Sequence, residues 1–372
     1  MAGSTVSTQS KSPILQKRRT FLDPSARLLR RWVRTTLVFA SLVVLAGSIV
    51  RMTGSGMGCP DWPRCFGLTI PPNSADDVEW KPATLYQSGR MLVRQDTLWV
   101  TEIPHTSTDF ATDRMAGLWT PYDKHQFTGF NPVHTWVEFI NRLIGALTGI
   151  PALLLAFLAF VFGWRQKRWR PFLWAMVNLF LLALVAWMGK KVVDGNLIPF
   201  SITLHMMGAL AILLALSAGL KTLMDSPPRD VLLGRPLLWI ALILAGIQLV
   251  GGTQVREQID ELVHAGIVRD QWLDALPSWW KFHRSGSWLV FLSQVAWAWP
   301  NRKSLAAQWA LALVAAQMVT GMLFVWADMP SWAQPLHLAL ALALVVWNAW
   351  VLMRYPLSNR SKASQASHSF GA

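Results

Sequence analysis

Three of the eight histidines, His205, His283 and His337, lie inside long apolar runs. An ionisable residue in hydrocarbon is costly to keep and is a functional candidate by default. Each falls in the first two turns of an even-numbered run, so all three are expected at one depth near the outer face of a membrane. Two histidines at equal depth on neighbouring helices are what axial ligation of a haem iron requires. His283 with His337 makes one such pair. The equivalent N-terminal pair is residue 141 with His205, and residue 141 is Asn141. One site is then closed by two ligands and the other keeps an open position. For any single histidine, a hydrogen bond across a helix bundle is the competing reading; three at matched positions favour haem.

Glu138 is the one carboxylate of the second run. It stands four residues after His134 and three before Asn141, so all three share a helix face. An acid costs roughly 2.5–3.5 kcal/mol at a helix centre and less near the interface. It either acts chemically or forms a salt bridge with Arg142 or Arg284. Those arginines each follow a ligand-like position directly and are also candidates for haem propionates. Cys59 and Cys65 sit just beyond the first run, on the outer side, where disulfides persist. A disulfide is preferred over a metal site, because a lone Cys-x5-Cys is weak metal spacing and no Cys-x-x-Cys-His is present. The glycines at 54, 56 and 58 read as loop. They open no helix after a strand, so they are not a nucleotide fingerprint.

These residues need elements to hold them. Of 372 residues, 53% are apolar and 15% charged, against roughly 25% charged in soluble domains. That excludes a disordered chain, a collagen-like fibre and an ordinary soluble enzyme. Two cysteines exclude a disulfide scaffold, a zinc-finger array and a cysteine-ligated iron–sulfur protein. The net charge of +14 does not indicate nucleic acid, because the basic residues sit between apolar runs. About 20 apolar residues cross the hydrocarbon as helix. Eight runs qualify: Trp32–Met52, Trp136–Phe162, Pro171–Gly189, Ser201–Leu223, Pro236–Val255, Lys281–Trp299, Ser304–Trp326 and Trp332–Met353. Tryptophans crowd their ends as interfacial anchors do.

Lysine and arginine cluster before the first run and after each even-numbered one, from Arg27, Arg30 and Arg31 to Arg165, Lys167, Arg168, Arg302 and Lys303. The positive-inside rule therefore sets both termini on the cytoplasmic side. The first outer connection, 53–131, is long enough for a small extramembrane cap, with strand and turn expected over Arg90–Val100. Met1–Ser10 and Ser361–Ala372 read as disordered. The halves also resemble each other. Leu204-His205 recurs as Leu336-His337 at an offset of 132, Phe139-Ile140-Asn141-Arg142 as Lys281-Phe282-His283-Arg284 at 142, and Leu45-Ala46-Gly47 as Leu244-Ala245-Gly246 at 199. The expected fold is an all-α membrane protein of eight transmembrane helices in two pseudo-symmetric four-helix bundles, related by an axis along the membrane normal. The expected divisions are a basic segment at 1–31, bundles at 32–223 and 236–353, and a tail at 354–372.

The run Arg51-Met52-Thr53-Gly54-Ser55-Gly56-Met57-Gly58-Cys59-Pro60-Asp61-Trp62-Pro63 resembles the first-loop signature of the heme A synthase family. So do Glu138-Phe139-Ile140-Asn141-Arg142, the His205 and His337 helices, and Phe282-His283-Arg284. The resemblance spans roughly 32–353. It implies a membrane oxidoreductase that converts the ring methyl of heme O to the formyl of heme A for cytochrome oxidase. It further implies a resident haem b on His283 and His337, and a substrate haem on His205 with Glu138 as the nearby carboxylate. The family's cysteine pair matches Cys59 and Cys65. Many members have histidine where Asn141 stands, and a five-coordinate iron here would suit oxygen activation. The expected partners are heme O, heme A, a heme O synthase, an electron donor and the lipid bilayer, with no nucleic acid; a homo-oligomer is compatible. The bacterial plasma membrane is expected over the mitochondrial inner membrane. A quinol-linked b-type electron-transfer cytochrome and a transporter remain the alternatives from other classes.

Overall fold

The computed structural model describes residues 23–123, 129–194, 200–224 and 226–358. The expectations for Met1–Ser10, Ser361–Ala372 and most of the basic N-terminal segment lie outside the described residues. Eight long helices carry the described chain: α1 Pro24–Thr53, α2 Pro132–Gln166, α3 Arg170–Asp194, α4 Ser201–Thr222, α5 Arg235–His264, α6 Trp280–Ala298, α7 Leu305–Trp326 and α8 Ala333–Arg354. Seven of them are long and apolar enough to cross a membrane; α6 is not, among the described residues. Its first turns hold Lys281, His283, Arg284, Ser285 and Ser287, which dilute its apolar stretch. Large side chains such as Leu153, Phe157, Phe180 and Ile243 face outward, the surface expected against lipid. This is an all-α, multi-pass membrane protein apart from its small cap.

Local chemistry sets the helix ends. Asp23 accepts from Ser25 N–H, and Asn131 accepts from the N–H groups of Val133 and His134, each with proline as the first helical residue. Gly54 ends α1 in the left-handed region at φ +69°, which glycine adopts without a Cβ penalty. Several boundaries extend past the apolar runs, with α3 reaching Asp194 and α2 reaching Gln166. Helix α1 starts at Pro24, inside the segment expected to be extramembrane; α2 starts at Pro132, and α5 continues to His264. Composition registers only the part of a helix that lipid tolerates, while capping and polar contacts extend it beyond.

Helices α1 to α4 pack in sequence and α1 returns to α4; α5 to α8 do the same, and α8 returns to α5. The two groups meet where α8 touches α1 and α4, and where α4 touches α5. Inside the second group Asn348 Nδ2 donates to Gln294 Oε1 at 2.9 Å, both residues fully buried. Above α1 and α2 lies the cap. Its hairpin pairs β2 Met91–Arg94 with β3 Thr97–Val100, within the stretch expected to be strand and turn, and Gln95 and Asp96 turn the chain with positive φ. Strands β1 Thr84–Tyr86 and β4 His105–Ser107 pair beside it, and β5 Thr120–Pro121 adds to β3. Tyr86, Leu92, Phe110 and Trp119 form the cap's own core.

Candidate functional site

The four ligand-like positions share one local environment. Each lies on an even-numbered helix against a glycine of the preceding helix. A Cβ on Gly47 would come within 3.7 Å of Asn141 Oδ1, and one on Gly189 within 3.5 Å of His205 Cε1. On Gly252 it would come within 3.0 Å of His283 Cε1, and on Gly321 within 3.4 Å of His337 Cε1. Only at Gly252 would the added Cβ press on the ring; at the other three it would make an ordinary van der Waals contact, so what the four positions share is a small residue facing the ring or amide. His283 and His337 are within electrostatic reach of each other. Buried nitrogens His205 Nδ1 and His283 Nδ1, and Asn141 Oδ1, have no hydrogen-bond partner among the described residues. Buried imidazoles outside any ion pair fit a haem iron, which an imidazole binds through one ring nitrogen while the other stays distal.

The glycines also correct the repeat register. Gly47 matches Gly252, an offset of 205, and not Gly246 at 199. Gly47-Ser48-Ile49-Val50-Arg51 then aligns with Gly252-Thr253-Gln254-Val255-Arg256. The Leu-Ala-Gly match at 199 places Gly246 where no such contact is made. The corrected register exposes a pair that sequence reading missed. Arg51 and Arg256 both bond Asp260, Arg256 at 2.7 Å, and Arg256 also donates to the Arg51 carbonyl and to Gln334 on α8. Two guanidiniums on one carboxylate tie α1, α5 and α8 together, and Arg51 is within electrostatic reach of His205.

Glu138 is 4% exposed. Its Oε1 receives Arg142 Nη2 at 2.5 Å and its Oε2 receives Cys59 N–H at 2.9 Å. The salt bridge left open by the sequence is therefore formed, with Arg142. Arg142 gives its other donors to the carbonyls of Cys59, Asp61 and Arg64. Its guanidinium is thus committed to the first outer loop. Arg284 is exposed, lies over the Trp280 ring at 5.1 Å, and makes no ion pair among the described residues. Cys59 and Cys65 are bonded as a disulfide and fully buried. Gly58 sits on α2 so closely that a Cβ would lie 2.5 Å from the His134 carbonyl oxygen. Asp61 accepts from Gly67 N–H at 3.0 Å, and burial holds its carboxyl above the usual carboxylate range. No hydrogen bond or ion pair joins Glu138 to His205 among the described residues. His134 takes no part in the Glu138 clamp.

The family model of the cytochrome oxidase assembly protein COX15-CtaA matches residues 30–95 and 120–349. The chain belongs to this family. The unmatched residues 96–119 hold β3, β4 and the short helix of the cap, so the match covers the helices, the disulfide loop and cap strands β1, β2 and β5. Among similar proteins, the heme A synthase of Rhodopseudomonas palustris is 28% identical over 310 residues, covering 78% of this chain and 73% of that one. The heme A synthase of Sphingopyxis alaskensis is 24% identical over 387 residues, covering 92% and 96%. The heme A synthase of Shewanella oneidensis is 26% identical over 181 residues, covering 49% of this chain and only 41% of that relative's length.

Proposed function

We propose that the protein is a heme A synthase, an oxidoreductase of the membrane that converts the ring methyl of heme O to the formyl group of heme A for cytochrome oxidase. The observation that carries this reading is the set of four glycine-seated positions, three histidine and one asparagine. His283 and His337 would hold a resident haem b. His205 would hold the substrate haem, and Asn141 stands at the fourth position, where a histidine would supply a further ligand. The haems supply the redox chemistry when bound. Glu138, held by Arg142 and the Cys59 N–H, is the carboxylate assigned to the reacting methyl, where it offsets developing charge or moves a proton. Arg284, without an ion-pair partner among the described residues, is the propionate anchor. Arg142, whose donors are taken, holds the disulfide loop.

The same reading extends to the architecture. Helices α1–α4 (32–223) and α5–α8 (236–353) are two pseudo-symmetric bundles of an eight-span protein, with α6 crossing despite its polar entry. The matched glycine contacts and the parallel packing order support this. Both termini lie on the cytoplasmic side of a bacterial plasma membrane, and the partners are a heme O synthase and an electron donor. A b-type electron-transfer cytochrome needs a fourth ligand where Asn141 stands. Extraction of pigment from the purified protein tests the assignment. Haem B with some heme O or heme A is expected; haem B alone, or no haem, refutes it.

A further inference from the structure

His205 and His337 occupy repeat-related positions, yet they are held differently. His337 Nδ1 lies 2.8 Å from Thr320 Oγ1 on α7. The same hydroxyl is 3.0 Å from the carbonyl oxygens of both Ala316 and Gln317. A hydroxyl has one hydrogen. Donated to either carbonyl, it leaves the threonine oxygen to accept, so the ring proton sits on His337 Nδ1. The lone pair is then on Nε2, which lies 2.9 Å from Gln317 Nε2. Phe324 meets the ring edge-on, with centroids 4.9 Å apart, and Gly321 backs it. A single helix thus sets the tautomer, the orientation and the backing of His337.

The offset of 132 that relates His205 to His337 also relates Gly189 to Gly321, and both glycines back the matching ring. At that offset α3 carries Met188 for Thr320 and Val185 for Gln317. A valine side chain accepts no hydrogen bond and a thioether accepts only weakly. His205 Nδ1 is accordingly buried with no partner.

We propose that Thr320 is a positioning residue that makes His337 a fixed, electron-rich ligand for a retained haem, whereas Met188 leaves His205 a loosely oriented ligand suited to a haem that enters and leaves. The inference rests on the haem reading above. A hydrogen bond accepted from the distal ring nitrogen fixes a ligating histidine and raises its basicity, and removing such a partner costs roughly 10–100-fold in metal affinity.

The test uses the full chain purified in detergent as wild type, Thr320→Val, Thr320→Ser and Met188→Thr. Two properties are read: the midpoint potential of the low-spin haem and the rate at which haem passes to excess apomyoglobin. Thr320→Val should raise the potential, since a less basic ligand stabilises ferric iron less. It should also speed loss of the low-spin haem about 10-fold or more. Thr320→Ser should restore both. Met188→Thr should slow release of the haem bound in the N-terminal half. An unchanged potential and loss rate in Thr320→Val, or failure of serine to restore them, overturns the proposal. If Thr320→Val gives no folded protein, Met188→Thr decides, and unchanged release in that variant overturns the proposal. Wild-type protein with no low-spin haem would instead refute the haem reading on which it rests.

Discussion

Replacing Glu138 tests the clamp between α2 and the disulfide loop. The loop at 58–64 is tied to α2 by the Glu138 bond to Cys59 N–H and by three Arg142 bonds to carbonyls, while the Thr135 hydroxyl is shared between Gly58 O and Asn131 O, each at 2.9 Å. Glu138→Ala strands a buried N–H, at about 1–3 kcal/mol, and strips Arg142 of its counter-charge. Breaking a fully buried pair costs about 3–5 kcal/mol. Arg142 keeps three carbonyls, and its side chain is 13% exposed, so a total near the low end, about 3 kcal/mol, is expected. Glu138→Gln retains one acceptor and should cost about 1–2 kcal/mol. Reversible unfolding in mixed micelles, run as a double-mutant cycle with Arg142→Ala, measures the coupling directly. A coupling of at least about 1 kcal/mol is expected, and less than about 0.5 kcal/mol would refute the clamp. Haem composition separates structure from chemistry. Glu138→Gln should accumulate heme O well beyond what its modest instability explains, and normal heme A in that variant would remove Glu138 from the reaction.

Four further outcomes are expected. His283→Ala or His337→Ala should each abolish the low-spin haem signal, because one lost axial ligand opens a two-histidine site; a wild-type optical spectrum in both would exclude the pair. In cells carrying each variant as the sole copy, His205→Ala should accumulate heme O while His134→Ala still makes heme A; loss of heme A with normal haem B in His134→Ala would make His134 the missing ligand. Serine at Cys59 and Cys65 opens a very short loop worth about 2 kcal/mol at most, so heme A output should fall further than thermal stability, and an equal fall would count against a positioning role. Burial raises the Asp61 carboxyl above its unfolded value, with Arg142 only partly offsetting this, so its contribution is full at low pH and is lost as pH rises through the folded value. Asp61→Asn keeps an acceptor for Gly67 and should therefore raise Tm at neutral pH but not below about pH 4; a pH-independent change would refute the assignment.

The eight helices, the hairpin around Gln95 and Asp96, and the shared placement of the histidines near the starts of their helices were legible in the chain because each depends on near neighbours. Apolar length, a capping residue or a turn preference acts within a few positions. The side chains that complete the site were not legible in this way. Arg142 reads equally well as a propionate anchor, and only packing brings the carbonyls of Cys59, Asp61 and Arg64 to it from about 80 residues away. The joint of Arg51, Arg256 and Asp260 crosses about 200 residues, and the local match of Leu-Ala-Gly pointed to a register of 199 instead of 205. Thr320 carries no motif at all; its role exists only because α7 and α8 present it to His337 Nδ1. Hydrophobic pattern determines that a helix crosses the membrane. The rotation of that helix about its own axis, and hence which side chain meets which, follows from close packing against its neighbours.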